Sequence, residues 1–251
     1  MHIDLNCDLG ESFGAYTLGL DAEVIPFITS ANVACGYHAG DPLVMDATVR
    51  ACKAAGVAVG AHPGFPDLVG FGRRNMAASP QEVKAYVQYQ VGALQAFCTS
   101  HGVALKHVKP HGAMYNMAGA NEALARAICE GVQAVNPALI LLALSGSKMI
   151  DAAKEMGLLC AKEVFADRAY EEDGSLVARG KPGAMITDED LAIARVVRMA
   201  KEGVVETITG REIALSADSV CVHGDSPHAL AFVKKIRVAL EQNGIAVRAL
   251  E

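Results

Sequence analysis

Five short runs of this 251-residue chain hold most of the side chains that can move protons, bind metals or hold anions: 4–12 (DLNCDLGES), 30–42 (SANVACGYHAGDP), 60–67 (GAHPGFPD), 109–116 (KPHGAMYN) and 222–225 (VHGD). In each, titratable groups stand beside glycine, whose backbone permits turns and close approach. In the first run Asp4, Asn6 and Asp8 alternate and Glu11 follows. On a strand, that alternation turns the three toward one side, so a closed barrel would carry a polar line inside, near its mouth. Burying carboxylates without partners is costly. Asp8 and Glu11 are therefore read as a general base or metal ligands, against a turn cap at Asp8 and a solvated Glu11.

His38 follows a strand end at 34–37 with Asp41 three residues on, and His62 follows 59–61 with Asp67 in the next turn. Histidines placed just after adjacent parallel strands converge, as ligands or proton-transfer groups must. Asp8, His38 and His62 are the set that would hold a divalent ion, although no H-x-x-H or H-E-x-x-H spacing makes a metal specific. Lys109, His111 and Tyr115 stand at the end of a strand through Val108, and Arg73 and Arg74 close a glycine-rich run at 70–72. Such cations suit a carboxylate or phosphate, arginine through forked hydrogen bonds and lysine as a point charge; Arg74 is equally readable as surface charge. His223 and Asp225 complete the candidate ring. Residues 174–182 end in Gly-Lys-Pro, without the spacing or hydroxyl of a P-loop, so nucleotide chemistry must use another cradle or another protein.

Residues this far apart meet only if strands gather them. Aliphatic runs at 3–6, 28–35, 57–61, 104–109, 139–143, 158–164 and 219–223 read as strands, separated by stretches of helical period. Helix starts are legible at Asp41-Pro42, at the capping box Ser79-Pro80-Gln81-Glu82 and, more loosely, at 187–190. The helix at 80–100 carries a stripe of Val83, Tyr86, Val87, Gln90, Val91, Leu94 and Phe97 that would face a sheet. Alternating β and α units predict a parallel sheet. Because polar motifs follow almost every strand, closure is favoured over an open sheet, giving an α/β fold: an irregular closed parallel β/α barrel of seven or eight strands. A hairpin turning at Gly210 interrupts the alternation at 204–215, and the polar loop at 166–185, with Arg168, Tyr170, Arg179 and Lys181, is long enough to act as a lid.

Length and a hydrophobic fraction of 52% suit a single domain over 1–251. The net charge of −6, with acids spread along the chain, argues against nucleic acid and membrane surfaces as partners. No apolar run approaches the roughly 20 residues that span a bilayer, and the first residues lack a signal pattern, so a cytoplasmic protein is expected. Seven cysteines without a C-x-x-C pair read as buried thiols in a reducing compartment; Cys7 and Cys35, inside motif runs, are alternatively nucleophiles.

The strings DLNCDLGES, SANVACGYHAGDP, GAHPGFPD, GFGRR, KPHGAMYN, EVFADRAY and VHGD, in this order over nearly the whole chain, resemble the LamB/YcsF family. The resemblance implies a barrel of the glycoside hydrolase and polysaccharide deacetylase type. It also implies ATP-dependent opening of 5-oxo-L-proline to L-glutamate, with Mg2+ as the counter-ion of ATP and 5-oxoprolinase subunits B and C as partners. A lactam resists direct attack by water, and phosphorylation of its carbonyl oxygen makes the carbon electrophilic. In that reading Asp8 or His62 deprotonates water, His38 or His111 protonates the departing nitrogen, and Lys109 with Arg73 holds carboxylate or phosphate. Asn6, Glu11, Asp41, Tyr115 and His223 complete the substrate contacts, and ATP is handled at least partly by the partners. Two rival readings are a stand-alone metal-dependent amide hydrolase or deacetylase, and a non-catalytic binding or regulatory subunit.

Overall fold

The computed structural model describes residues 1–222 and 227–251. Its first half contains β1 (His2–Leu9), α1 (Asp21–Val24), β2 (Ser30–Ala34), α2 (Pro42–Ala55), β3 (Ala58–His62), α3 (Pro80–Ser100), β4 (Leu105–Val108), α4 (Gly112–Ala120) and α5 (Glu122–Val135). There follow β5 (Ile140–Leu144), α6 (Lys148–Glu155), β6 (Cys160–Phe165), α7 (Glu189–Glu202), β7 (Val204–Glu206), β8 (Glu212–Ala214), β9 (Ser219–Val222), α8 (Pro227–Gln242) and β10 (Ala246–Val247). Strands β1 to β6 pair successively in parallel, β6 pairs β9, and β9 pairs back to β1, closing a seven-stranded barrel. The seven strands are those expected from the aliphatic runs. β10 adds to β1 at His2 and Ile3; two residues are too few to carry a periodic signal.

Local chemistry sets the helix boundaries. The Asp41 carboxylate accepts from Leu43 N and Val44 N, both at 2.9 Å, with Pro42 behind it, and Gly56 ends α2 at φ 70°. Ser79 and Glu82 form the expected reciprocal box at the start of α3. Val83, Val87, Gln90, Val91, Leu94 and Cys98 form the buried face of α3, while Tyr86 and Phe97 are half-buried. At α7 the cap is Asp188, accepting from Leu191 N at 3.0 Å. β7 and β8 pair antiparallel around Gly210, φ 84°, as the hairpin reading required.

Inside the barrel the filling is lopsided. Toward β5 and β6 it is apolar, with Ile140, Leu142 and Ala161 packed together and Leu250 against them. Elsewhere it is a stacked polar network, and β1 supplies its spine. Asp4 accepts from Ser30 Oγ at 2.6 Å, Thr29 Oγ1 at 2.7 Å and Ser219 Oγ; burial nonetheless raises its pKa. One level up, Asn6 Nδ2 donates to Ser219 Oγ at 2.8 Å, and Asn32 Nδ2 donates to Asn6 Oδ1 at 2.8 Å and Asp8 Oδ1 at 2.9 Å. β1 runs on to Leu9, so Asp8 is a strand residue in the inward row rather than a turn cap.

His107 completes this level, its Nε2 donating to Asn32 Oδ1 at 2.7 Å. Its ring crosses β3 where Gly60 has no side chain: a Cβ there would lie 2.1 Å from His107 Nε2. Gly60→Ala is expected to destabilise the protein by about 1–3 kcal/mol, since a packed interior cannot absorb the methyl; the midpoint of urea denaturation checks this. Burial, with Lys109 and His62 nearby, pushes the His107 imidazole from 6.5 down to about 3. Between those values the unfolded chain binds a proton that the folded chain does not, so stability rises with pH and is lost on acidification, by about 1.4 kcal/mol per pH unit for this group. His107→Gln keeps a donor for Asn32 and should lose less stability than wild type between about pH 6.5 and about pH 4.5 in urea titrations.

Candidate active site

Lys109 leaves the end of β4 and turns its ammonium into the barrel axis. It lies 3.0 Å from Asp8 Oδ1, 2.8 Å from Glu163 Oε1, 3.2 Å from Asn6 Oδ1 and 3.2 Å from Cys221 Sγ, with the Phe165 ring 5.5 Å away. Burial opposes the charge, but Asp8 and Glu163 among its neighbours outweigh it and hold Lys109 well above the ordinary lysine range. Tyr115, on α4 rather than at a strand end, donates to the other oxygen of Glu163 at 2.6 Å. The cation therefore fixes the position of Asp8 and Glu163.

Above it, three imidazoles gather at the mouth. His62 ends β3, and its loop is pinned by Gln90 of α3, which bonds both Gly64 N and Gly64 O at 2.9 Å. His38, between β2 and α2, lies parallel to His111 with ring centroids 3.7 Å apart, and His62 meets both rings edge-on at 5.3 and 4.8 Å. Burial first, then the neighbouring imidazoles, pushes His38 and His111 well below the usual histidine range. His62 Nδ1 donates to Lys109 O at 2.6 Å, and His111 Nε2 donates to Phe71 O at 2.8 Å. Phe71 has φ 52°, a left-handed conformation that costs a non-glycine residue energy and here aims a carbonyl at His111. Gly72 must be glycine: a Cβ would come within 2.7 Å of His38 and 2.8 Å of His111. Glu11 Oε1 lies 3.4 Å from His38 Nε2 and 4.0 Å from His111 Nδ1, and Asp8 Oδ2 is 3.2 Å from His62 Nε2.

These groups open on a cavity of about 920 Å³. Asp8, Glu11, His62, Lys109, His111 and Tyr115 line one side of it, and Arg73 sits at its edge with its guanidinium 5.0 Å from the centre of the Phe71 ring. The loop at 166–185 forms the opposite wall: Ala169, Val177 and Ala184 give it a small core, and Tyr170 is fully buried with its hydroxyl accepting from Phe165 N. Arg168 and Arg179 of this loop face the cavity.

The structure thus unites Asp8, Glu11, His38, His62, Lys109, His111, Tyr115 and Arg73. Two proposed substrate contacts stand elsewhere. Asp41 caps α2 and also accepts from Gly14 N at 2.8 Å, outside the cavity lining; those backbone donors lower its pKa. Asn6 lies a level below, fully buried among Ser219, Asn32 and Lys109. Asp67 and Arg74 pair with each other. His223 and Asp225 lie outside the described residues. Cys7 is buried in the core with its thiol pKa pushed far up, and Cys35 is pushed to about 12, so neither has the low pKa of a nucleophilic thiolate. The sequence reading overlooked Glu163, Asn32 and Cys221 in the barrel interior and Ser147 at the cavity, while Arg168 was named only as part of the loop at 166–185. Glu163 carried a signal, a lone acid within the apolar run of β6.

The profile of the LamB/YcsF family matches residues 3–251. The chain belongs to the LamB/YcsF family. It is 67% identical over 245 residues to the A subunit of 5-oxoprolinase from Clostridium beijerinckii, covering 98% of this chain and 96% of that one. It is 58% identical over 247 residues to the protein of the same name from Thermococcus onnurineus, covering 98% and 97%. The crystal structure of a lactam utilization protein from Thermus thermophilus superposes with a TM-score of 0.94 at 50% identity over 100% of both chains. A family 4 carbohydrate esterase from Streptomyces lividans shares the fold alone, with a TM-score of 0.50 at 14% identity over 100% and 93% of the two chains.

In this LamB/YcsF chain the Lys109 ammonium is held by Asp8, Glu163, Asn6 and Cys221 together. Lys109→Met leaves two carboxylates facing each other inside the barrel and should cost about 3–5 kcal/mol in urea denaturation. Adding Glu163→Gln should restore part of that loss, and additive losses instead would show that the pair is not coupled.

Proposed function

We propose that this chain is the A component of an ATP-dependent 5-oxoprolinase, which opens 5-oxo-L-proline to L-glutamate while ATP becomes ADP and phosphate, acting with subunits B and C. The observation that carries this reading is the 67% identity, over 98% of the chain, to a protein named as the A subunit of 5-oxoprolinase. The likeness to a lactam utilization protein supports the same substrate class.

The chemistry balances with two waters. The γ-phosphoryl group of ATP moves to the lactam carbonyl oxygen, releasing ADP. One water adds to the activated carbon, the C–N bond breaks with its electrons going to nitrogen, and nitrogen takes a proton, leaving an acyl phosphate. A second water releases phosphate. Asp8, clamped by Lys109 and open to the cavity, is placed to take a proton from the attacking water. Arg73, Arg168 and Arg179 around the cavity suit the carboxylate and phosphoryl oxygens. Ser147, at the start of α6, adds a buried hydroxyl facing the same space that has no hydrogen-bond partner among the described residues. Lys109 is engaged by protein carboxylates and acts as the positioning group for Asp8.

Glutamate release from 5-oxoproline, measured with and without ATP and with and without subunits B and C, tests the reading. Release should require ATP and both partners. Asp8→Asn should lower kcat by about 10²–10⁴-fold with assembly of the complex intact, and Arg73→Ala should mainly raise KM. Hydrolysis of amides or acetylated sugars by the chain alone, without ATP, would replace this reading with the stand-alone hydrolase. Full activity of Asp8→Asn would leave the chain a non-catalytic component.

A further inference from the structure

The tautomers at the barrel mouth leave an electrostatic conflict. His62 Nδ1 lies 2.6 Å from the Lys109 carbonyl and His111 Nε2 lies 2.8 Å from the Phe71 carbonyl. A carbonyl oxygen only accepts, so both of those nitrogens carry the ring proton. Unless a second proton is bound, each ring then presents a lone pair at its other nitrogen, and those two nitrogens, His62 Nε2 and His111 Nδ1, face each other at 2.9 Å. Two lone pairs at that distance repel unless something positive lies between or beside them.

A shared proton would settle that pair and nothing more. His38 is fully buried, and neither of its ring nitrogens has a hydrogen-bond partner among the described residues. Buried polar atoms without partners are rare in folded proteins and ask for an explanation, an ion included. Its Nε2 stands 3.4 Å from Glu11 Oε1, and that oxygen is 4.0 Å from His111 Nδ1. One donor atom from each of Glu11, His38, His62 and His111 lies within 4.8 Å of the other three. A proton bridges two such atoms, whereas a metal ion gathers four.

We propose that His38, His62, His111 and Glu11 form a divalent-metal site at the mouth of the barrel, selective for zinc or a similar borderline ion. A tetrahedral ion with ligands at about 2.0–2.1 Å separates its donors by roughly 3.3 Å; here the donors lie 2.9, 3.4 and 4.0 Å apart and all within 4.8 Å, so ion binding requires the stacked His38 and His111 rings to turn toward one point. Three imidazoles and one carboxylate suit zinc, nickel or iron better than magnesium or calcium, which take oxygen shells. The carbonyls of Lys109 and Phe71 act as outer partners that orient two of the rings, the arrangement metal-binding histidines usually have. The donor set differs from the Asp-His-His set expected from the motifs: Glu11 and His111 belong to it, while Asp8 turns to Lys109 and touches His62 from the side. Glu11, His62 and His111 line the cavity, so an ion there is within reach of a bound ligand. Four protein donors fill a tetrahedral shell, so when bound the ion would act as a Lewis acid on a cavity carbonyl or water only by taking that oxygen as a fifth ligand.

The site stands whether or not the oxoprolinase reading holds, and its test needs neither ATP nor partners. The purified full chain is stripped with chelator, re-exposed to Zn2+ or Co2+, and its metal content and visible Co2+ spectrum are measured. The expected result is about one ion per chain with the intense visible bands of tetrahedral cobalt. Glu11→Gln, His38→Gln and His111→Ala, each checked for folding by circular dichroism, should weaken binding by about tenfold or more. Glu11→Gln changes the most exposed of the four donors and keeps the test valid if an imidazole variant fails to fold. Retention of no ion, or binding untouched by all three substitutions, overturns the proposal. So does nitrogen NMR showing a proton shared between His62 and His111 that added zinc does not displace.

Discussion

One ammonium inside a barrel constrains the rest of this structure. Lys109 is almost fully buried between Asp8 and Glu163, and removing two carboxylates and a lysine from water is favourable only if each finds its partners at short range. The strands next to it comply. β1 contributes Asp4, Asn6 and Asp8 on its inward side, β2 contributes Ser30 and Asn32, and β9 contributes Ser219 and Cys221, so every level of the interior on that side is hydrogen-bonded. An apolar filling would be simpler to stabilise. The polar one has a different consequence: it fixes Asp8 at the mouth to within a hydrogen bond, beside His62.

The same economy of motion holds one level higher. His62 and His111 are each oriented by a backbone carbonyl, and the carbonyl for His111 comes from Phe71, a residue held in a left-handed conformation. Strain of that kind persists only where the surroundings over-determine it. Here the surroundings are the His38 and His111 rings, against which the Phe71 ring packs edge-on at 5.7 and 5.4 Å, and Gly72, which leaves no room for a side chain. Positioning by backbone acceptors fixes the tautomer as well as the place, which a side-chain hydroxyl able to donate or accept would not do.

The barrel was legible because closure follows from patterns of period two. Seven aliphatic runs, each ending in a polar motif, predict parallel strands around one mouth, and the inward row of Asp4, Asn6 and Asp8 followed from alternation alone. What alternation cannot show is partnership between distant strands. Glu163 lies 54 positions beyond Lys109, and only the closed barrel reveals it as the counter-charge. Asp41 misled for a related reason. Within its motif it looks like one more acid at the mouth, but Pro42 after it makes it a helix cap, and a carboxylate accepting three backbone N–H groups is committed to that task. Tyr115 was placed at a strand end because Gly112 hid the start of α4, whereas the helix turns the phenol inward to Glu163.

The two sides of the cavity differ in a way that bears on specificity. Below the three imidazoles the barrel side is built of paired groups such as Asp4, Asn6, Asn32 and Lys109, and changing one of them leaves a buried charge or dipole without its partner. The opposite wall is a loop with its own small apolar core of Ala169, Val177 and Ala184, which holds Arg168 and Arg179 over the cavity without drawing on the barrel network. Arg168 keeps one donor on the Val177 carbonyl at 2.6 Å while its Nε has no hydrogen-bond partner among the described residues. A substitution in that wall can therefore change the charge facing the cavity while leaving the barrel network in place, whereas the barrel side admits little change. The arginine-bearing loop and the strand ends beneath it thus differ in how freely their residues can change.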